Sequence, residues 1–462
     1  MKENGKKKNR KKRGKKYIRL FFLSFLITLL LGGVGFGVYV LTHPAEKEAV
    51  SVMSDENGVE ADCTSVNMDA SQNDKEEMLA ISQNETLPEL ENVSETENEN
   101  DLENHLGNNT ENAEKPADNY EEKLFYRDTK VSGEAELVFG GDICFYDDFA
   151  LMVSYRARQE DISKCISQDL LDEIHSADVF MLNNEFVYSD RGEPLAEKAF
   201  TFRSKPENVE ILHKLGVDIV GLANNHVFDY GENALLDTFS ILEEEEMPYV
   251  GAGRNLEQAR KPAYFHFDDF TVAYVNATQI ERNDAPDTKG ATDYSAGTFR
   301  CFSKQEFANL QETIKLAKEK ADFVVVYIHW GTENTDELDW AQNYQAPLIV
   351  EAGADLIIGN HTHCLQGIDY IGNTPVIYST GNFWFNSKEL DTCIVKAIVT
   401  KDGLKSFQFL PAKQENCATA LLEGTERERV LEYMRSISPN VVIDESGYVF
   451  MNDTKNGDAN GQ

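Results

Sequence analysis

Residues that commonly bind divalent metal ions recur in this sequence, each time directly after a short apolar run. Six of these runs are followed by groups that contain Asp, Glu, Asn or His. The groups are Gly140-Gly141-Asp142, Asn183-Asn184-Glu185, Asn224-Asn225-His226, His329-Trp330-Gly331-Thr332-Glu333, Asn360-His361-Thr362-His363 and Ser379-Thr380-Gly381-Asn382. A mixed set of carboxylate, amide and imidazole ligands suits Mn, Zn or Fe better than metals that prefer thiolates. The residue types therefore predict a site for one or two divalent ions.

The apolar runs are short enough to be buried strands, and helical patterns separate several of them. The predicted strands cover 135–139, 179–182, 219–222, 271–276, 323–328, 356–358 and 376–378, with a closing pair of strands within 391–410. The predicted helices cover 208–214, 233–244, 304–320, 340–352 and 424–437. Alternating strands and helices are typical of an α/β domain, here 133–450, in which ligands bind beyond the carboxyl ends of the strands. We therefore expect the polar groups to meet in one pocket.

The formal net charge of -36 argues against nucleic acid as a partner, because its phosphates would be repelled. An anionic substrate would need a local receiver, such as a metal ion or an arginine. The seven cysteines are scattered and contain no CxxC pair, so the sequence predicts neither a disulfide framework nor a zinc knuckle. We expect most of them to be small buried residues.

The N-terminal part of the chain has the pattern of a membrane anchor followed by a spacer. Residues 1–19 are rich in Lys and Arg, and 20–41 form an apolar stretch of the length that spans a bilayer. The basic flank predicts a cytoplasmic N-terminus and an extracellular C-terminal domain. A cleaved signal peptide is the alternative. Residues 42–132 are acidic and poor in apolar side chains, which predicts a disordered linker, and a disordered tail is expected over 451–462.

The ordered set of motifs, GGD…NNE…ANNHxxDxG…HWGxE…GxHxHxxQ…SxGNF, resembles the CapA/PgsA family of bacterial poly-γ-glutamate capsule proteins. That family in turn is similar to calcineurin-like metallophosphoesterases. The resemblance covers residues 134–410. It implies a sandwich of two mixed sheets flanked by helices, which here would follow one transmembrane helix and a disordered linker.

The resemblance also implies roles for individual residues. His226, which would protonate a leaving group or contact substrate, is predicted to act with Asn225 and Asp229. The predicted metal ligands are Asp142, Glu185, Asn225, His329, His361 and His363. Two histidines at i and i+2 on an extended segment reach one site only if a turn re-aims one of them.

Two departures from the phosphoesterase pattern leave one metal ion or two open. Cys144 stands where those enzymes carry a histidine, so that one imidazole ligand is missing or replaced by a thiol. Glu185 stands where they carry a bridging Asp.

Four further residues are predicted to bind substrate, and two of them have an alternative role. Arg203 would grip an anionic substrate unless it is a solvated loop residue, and Glu333 would otherwise orient a histidine or lie on the surface. The four residues are Arg203, Glu333, Gln366 and Asn382.

The resemblance implies a membrane-anchored extracellular protein in the synthesis or export of poly-γ-glutamate, an anionic polymer. Its partners would be membrane-embedded synthase or export subunits. The alternatives are a metal-dependent phosphoesterase or other hydrolase of a different cell-envelope substrate, and a non-catalytic scaffold. Whether the chain is an enzyme stays open at this point.

Overall fold

The computed structural model describes residues 118–280 and 289–452. The strands in this part of the chain are β1 (Leu124–Arg127), β2 (Ala135–Ile143), β3 (Val179–Asn184), β4 (Val187–Tyr188), β5 (Arg203–Ser204), β6 (Ile219–Gly221), β7 (Tyr249–Val250), β8 (Ala252–Gly253), β9 (Ala263–Phe267), β10 (Phe270–Thr278), β11 (Gly297–Thr298), β12 (Phe323–His329), β13 (Leu356–Asn360), β14 (Ile368–Ile371), β15 (Thr374–Ile377), β16 (Asn382–Trp384), β17 (Leu390–Thr400), β18 (Gly403–Glu415), β19 (Ala418–Leu421), β20 (Val441–Ile443) and β21 (Val449–Met451). The helices are α1 (Ala150–Ala157), α2 (Gln168–Ser176), α3 (Glu210–Leu215), α4 (Gly231–Glu244), α5 (Leu256–Arg260), α6 (Lys304–Lys318), α7 (Trp340–Glu351) and α8 (Gly424–Ile437).

Most of the strands belong to two large mixed sheets. The first sheet has the order β1-β9-β10-β12-β13-β15-β14, and its members β10, β12, β13 and β15 run parallel. The second sheet has the order β19-β18-β17-β2-β3-β6-β7, in which β2, β3, β6 and β7 run parallel, and β16 also pairs with β2. The sheets therefore present two sets of parallel strand ends.

Three apolar clusters divide the fold into layers. Between the sheets, Phe139 of β2 packs in one cluster with Tyr327 of β12. The second cluster places Phe180 of β3 with residues of α1 to α4 on the outer face of the second sheet. The third places Val326 of β12 with α6 and α7 on the outer face of the first sheet. Successive side chains of β12 thus enter opposite clusters, as the two-residue period of a strand requires. The predicted α/β sandwich is confirmed.

An aspartate lies directly before each of four parallel strands, at the amino ends of these strands, and fixes the register with the neighbouring strand. Its backbone N–H donates to, and its carboxylate accepts from, the backbone of one residue in the neighbouring strand, at 2.8–3.0 Å. The pairs are Asp178 with Glu136, Asp218 with Phe180, Asp322 with Thr271, and Asp355 with Val324. Each pair satisfies an N–H and a C=O at the beginning of a strand, where the ladder has no partner for them.

The predicted strands and helices are present, with small shifts of their bounds. The predicted helix 208–214 is a 3-10 turn, Pro206–Val209, followed by α3. The end of the predicted linker at residue 132 is wrong, because 118–132 belong to the folded domain. There β1 pairs in parallel with β9, and Phe125 is only 1% exposed. A four-residue edge strand shows too little periodicity to be recognised within an acidic stretch.

Within residues 118–280 and 289–452, no helix combines the length and the apolar character that crossing a bilayer requires. The predicted anchor at 20–41, the linker up to residue 117 and the tail from residue 453 lie outside the described residues.

The Asp218 pair predicts a pH dependence of stability. Burial, partly offset by the Phe180 N–H, raises the pKa of Asp218 to about 6, above the value of about 3.9 expected in an unfolded chain. The folded protein therefore binds this proton more tightly, and the contribution to stability falls as pH rises from about 4 to about 6. Asp218→Asn, which keeps an oxygen for the Phe180 N–H, should gain stability relative to wild type over this interval.

Urea unfolding midpoints at pH 4 to 7 measure the effect. Asp402→Asn, which removes a charge from an exposed turn, is the control. A difference in urea midpoint between wild type and Asp218→Asn that stays the same from pH 4 to pH 7 would contradict the prediction.

Candidate metal centre

The carboxyl ends of parallel strands from both sheets meet at one edge of the sandwich. Hydrogen bonds bridge the sheets there: for example, Tyr327 Oη donates to the Gly140 carbonyl at 2.8 Å, and the His361 N–H donates to Asp142 Oδ2 at 3.2 Å. The register of β16 on β2 places Asn382 beside Asp142. The structure brings together all the residues that the sequence predicts as metal ligands. They are Asp142, Glu185, Asn225, His329, His361 and His363.

Two glycines allow the backbone segments at this edge to approach closely. A β-carbon on Gly141 would lie 1.8 Å from the carbonyl oxygen of Gly381, and one on Gly359 would lie 2.0 Å from that of Tyr378. A side chain at position 141 would push the segment that carries Asp142 away from Gly381. A side chain at position 359 would push the segment that carries His361 away from Tyr378.

Asn183 holds the two carboxylates of the site. Its Nδ2 donates to Asp142 Oδ1 at 2.8 Å and lies 3.3 Å from Glu185 Oε2. Asn224 Nδ2 in turn donates to Asn183 Oδ1 at 3.0 Å, which fixes the orientation of the Asn183 amide. All four side chains are fully buried. Glu185 Oε1 has no hydrogen-bond partner among the described residues.

Burial makes the charged forms of these carboxylates unfavourable. It raises the pKa of Asp142 to about 6, although the nearby His363 opposes the shift. It raises the pKa of Glu185 well above its usual range, and the charge of Asp142 adds to this effect. Two facing carboxylates in a dry site are stable as anions only if a cation compensates them.

Both ring nitrogens of His329 lie close to polar atoms of the cluster. Its Nδ1 lies within hydrogen-bond distance of Asn360 Oδ1, and we assign the single N–H of the neutral ring to this nitrogen. The Nε2 lone pair then faces Asn225 Oδ1 at 2.9 Å, His361 Nδ1 at 3.0 Å and Glu185 Oε1 at 3.6 Å. Burial lowers the pKa of His329 and of His361 well below the usual range, so that both rings are neutral.

Two overlapping groups of side chains could therefore hold a divalent cation. In each group one ligand atom per residue lies within 4.8 Å of the others. The first group is Glu185, His329 and His361, and the second is Asp142, Glu185 and His363. Glu185 belongs to both. Converging lone pairs and an orphaned buried carboxylate oxygen fit a metal ion better than they fit a set of hydrogen bonds.

The backbone of the HxH segment explains how both histidines reach the site. His361 and His363 have φ angles of 95° and 57°, in the left-handed region that residues with a β-carbon rarely occupy. The expectation that a turn re-aims one of the two histidines is confirmed. Such strain is typical of functional sites and is held by surrounding contacts, here the bond from the His361 N–H to Asp142 and the 2.8 Å contact of His363 Nδ1 with Asn382 Oδ1.

His226 lies next to the metal ligands and is oriented by a buried carboxylate. Its Nδ1 is 2.7 Å from Asp229 Oδ2, and its ring stacks on Phe202 with the centroids 4.2 Å apart. Its Nε2 points at Glu185 Oε1 at 3.8 Å. Burial lowers the pKa of His226, and the ammonium of Lys198 contributes to the decrease. The three residues predicted as catalytic, Asn225, His226 and Asp229, are adjacent in the structure.

Two of the four predicted substrate-binding residues border the site. Asn382 contacts His363 through its Oδ1, so it orients a ligand histidine, and its Nδ2 has no partner among the described residues. Glu333 is exposed, lies in the loop that follows β12, and is near His361 and His363.

The contacts of the other two favour a structural role. Arg203 donates to the carbonyls of Arg191 and Gly192 and lies over the ring of Tyr230, with its guanidinium carbon 4.3 Å from the centroid. Gln366 is buried, and its amide is fully used by Gln342 and by the carbonyls of the loop that follows β12. Both side chains thus direct their hydrogen bonds to groups other than the metal ligands.

Sequence reasoning did not assign roles to three residues that shape the site. Asn183 and Asn360 stand inside motifs and orient ligands, and their position directly at strand ends was a usable signal. Lys198 lies in a loop without any motif, so no pattern identifies it, yet it forms a buried ion pair with Asp229. Cys144 is packed in the apolar cluster beneath α1 to α4, as expected for a small buried residue.

Comparison with known proteins gives one family and several relatives. The family described as "Bacterial capsule synthesis protein PGA_cap" matches residues 136–387. The capsule biosynthesis protein CapA of Bacillus anthracis is 29% identical over 54% of this chain and 64% of its own length. The PGA biosynthesis protein CapA of Bacillus subtilis is 29% identical over 47% and 56%. A probable polyglutamine synthesis accessory protein of Mycobacterium tuberculosis is 27% identical over 45% and 55%. The matches thus span less than two thirds of these relatives.

The geometry predicts metal binding that depends on the clustered ligands. Wild type should bind Mn²⁺ or Zn²⁺, and His361→Ala should lose more than the 10- to 100-fold in affinity that is roughly the effect of removing an outer-shell partner. Calorimetric titration of metal-free protein measures both values. His213→Ala removes an exposed imidazole and is the control. Equal affinity of wild type and His361→Ala would contradict the assignment.

Proposed function

The chain belongs to the bacterial capsule synthesis protein family PGA_cap, and from this premise we propose that it acts in the synthesis or export of a poly-γ-glutamate capsule through a metal-dependent hydrolytic or transfer site. The observation that carries the chemical part is the convergence of acceptors around Glu185 Oε1, which has no donor of its own within the described residues. The names of the relatives support the biological part, since they refer to capsule and polymer synthesis.

The residues present suit one or two divalent ions of the Mn, Zn or Fe type. His329 and His361 with Glu185 would hold one ion, and Asp142 and His363 would share Glu185 to hold a second. Asn225 Oδ1 would add an oxygen ligand to the first. When bound, such an ion supplies Lewis-acid stabilisation of a phosphoryl or acyl oxygen and activates water.

His226 is the proton carrier of the proposed reaction. Asp229 accepts a hydrogen bond from the Nδ1–H of His226, which leaves the Nε2 lone pair directed at the metal ligand Glu185. Because the pKa of His226 is lowered by burial, its ring is neutral near pH 7 and Nε2 accepts a proton from the reacting group. This favours a base or hydrogen-bond acceptor over the general acid that the resemblance implies.

Glu333 is the substrate-facing side chain of the proposed site. It is exposed, while the ligand side chains are buried or nearly so, and its carboxylate lies near His361 and His363. A substrate that approaches the cation would therefore pass this carboxylate.

We place the domain outside the cell, held by a single N-terminal membrane helix, with membrane-embedded polymer synthase or export subunits as partners. The apolar stretch at 20–41 and its basic flank support this arrangement. The polymer itself is the proposed anionic substrate. Because the protein carries a net charge of -36 and would repel an anion, the bound cation would supply the local attraction for it.

A purely structural role as a scaffold is the second candidate, and the site geometry favours chemistry over it. A scaffold has no use for two buried carboxylates that are stable as anions only when a cation compensates them, or for three imidazoles gathered around them. The left-handed backbone at His361 and His363 is a further local cost without benefit to a scaffold.

The proposal predicts that the site is required for polymer at the cell surface and for turnover in vitro. His226→Ala should keep the fold and bind metal but lower kcat for bis-p-nitrophenyl phosphate by about 10²–10⁴-fold, the range of general acid–base catalysis. In cells, His361→Ala should abolish surface poly-γ-glutamate, measured by antibody staining.

Immunoblots of membrane fractions control for protein level and location, and His213→Ala is the matched imidazole control. Normal surface polymer from a correctly located His361→Ala protein would favour the scaffold. Hydrolysis by wild type with no effect on polymer would favour the other alternative, a hydrolase of a different envelope substrate.

A further inference from the structure

We propose that Lys198 is a positioning residue whose ammonium sets both a metal ligand and the proton carrier of the site. This inference rests on the proposed function, because it assigns Lys198 a role in the same centre. The buried ammonium of Lys198 contacts the loop after β6 at two points, one on each side of His226.

The Lys198 ammonium lies in a closed environment. Its side chain is only 6% exposed, and Nζ lies 2.7 Å from Oδ1 of the fully buried Asp229. Nζ also donates to the backbone carbonyl of Asn225, the residue whose Oδ1 faces His329 Nε2. One charged group therefore fixes the main chain of a metal ligand and the carboxylate that orients His226.

Asp229 transmits the position of Lys198 to His226. Its second oxygen, Oδ2, accepts from the Phe202 N–H at 2.7 Å and contacts His226 Nδ1 at 2.7 Å. The Leu195 N–H donates to the Asp229 carbonyl at 2.8 Å. Residues 195–202, here named the strap, thus wrap around Asp229, and Lys198 supplies the charge that this buried carboxylate needs.

The chemistry of an ammonium suits this task. It is a compact charge whose donors point in different directions, so it can bind a carboxylate on one side and a carbonyl on the other. Removing one partner of a buried ion pair leaves the other charge uncompensated. Without Lys198, Asp229 would lose its fixed position, and His226 and the main chain of Asn225 would no longer be held in place.

Chemical rescue tests the assignment. Lys198→Ala should weaken Mn²⁺ binding and lower kcat for bis-p-nitrophenyl phosphate, each by about 10- to 100-fold as for outer-shell residues, with KM nearly unchanged. Added methylammonium or ethylammonium should restore a large part of both losses, whereas ethanol should not. Lys198→Met, which keeps the shape and lacks the charge, should behave like unrescued Lys198→Ala. Lys205→Ala removes an exposed lysine just after the strap and is the control.

Near-ultraviolet circular dichroism checks that each variant is folded. Wild-type affinity and kcat in folded Lys198→Met would overturn the inference, and so would a loss in folded Lys198→Ala that no alkylammonium restores. The affinity measurement separates the two proposals. If wild type binds Mn²⁺ but hydrolyses no phosphodiester, the proposed chemistry fails, while ammonium-dependent recovery of Mn²⁺ affinity still supports the role of Lys198.

Discussion

The burial of Asp142 and Glu185 side by side is the constraint on which the rest of the site depends. Both side chains are fully buried, and Asn183 Nδ2 contacts both of them, yet Glu185 Oε1 has no donor within the described residues. Two carboxylates so placed must share protons or bind a cation. The neutral imidazoles of His329 and His361, with lone pairs aimed at the same volume, favour the cation.

The sandwich is built to hold this unfavourable cluster. At one end of the parallel strands, four aspartates fix the register, and at the other end neighbouring backbone segments approach so closely that Gly141 and Gly359 tolerate no side chain. Core packing between the sheets, which includes Phe139 and Tyr327, keeps the two edges from separating. Packing and hydrogen bonds elsewhere in the fold thus hold the metal ligands in place and stabilise the strained backbone at His361.

The sequence predicted most of this arrangement because each strand end carried its own signal. An apolar run followed by a polar group indicates both a buried strand and the residue at its end, so Asp142, Glu185 and His329 could be placed without coordinates. Contacts made by loops carry no such periodicity. Lys198 could therefore be found only through its ion pair, and the orientation of Arg203 away from the ligands depends on local carbonyls. The edge strand β1 was missed because its four residues, within an acidic stretch, show too little periodicity to be recognised.

Anomalous diffraction from crystals grown with Mn²⁺ tests the central claim most directly. The account predicts an anomalous peak within bonding distance of Glu185 Oε1 and His329 Nε2, with a second, if present, beside Asp142 and His363. A well-ordered site without any peak, in which the carboxylates bind only protons or water, would contradict it.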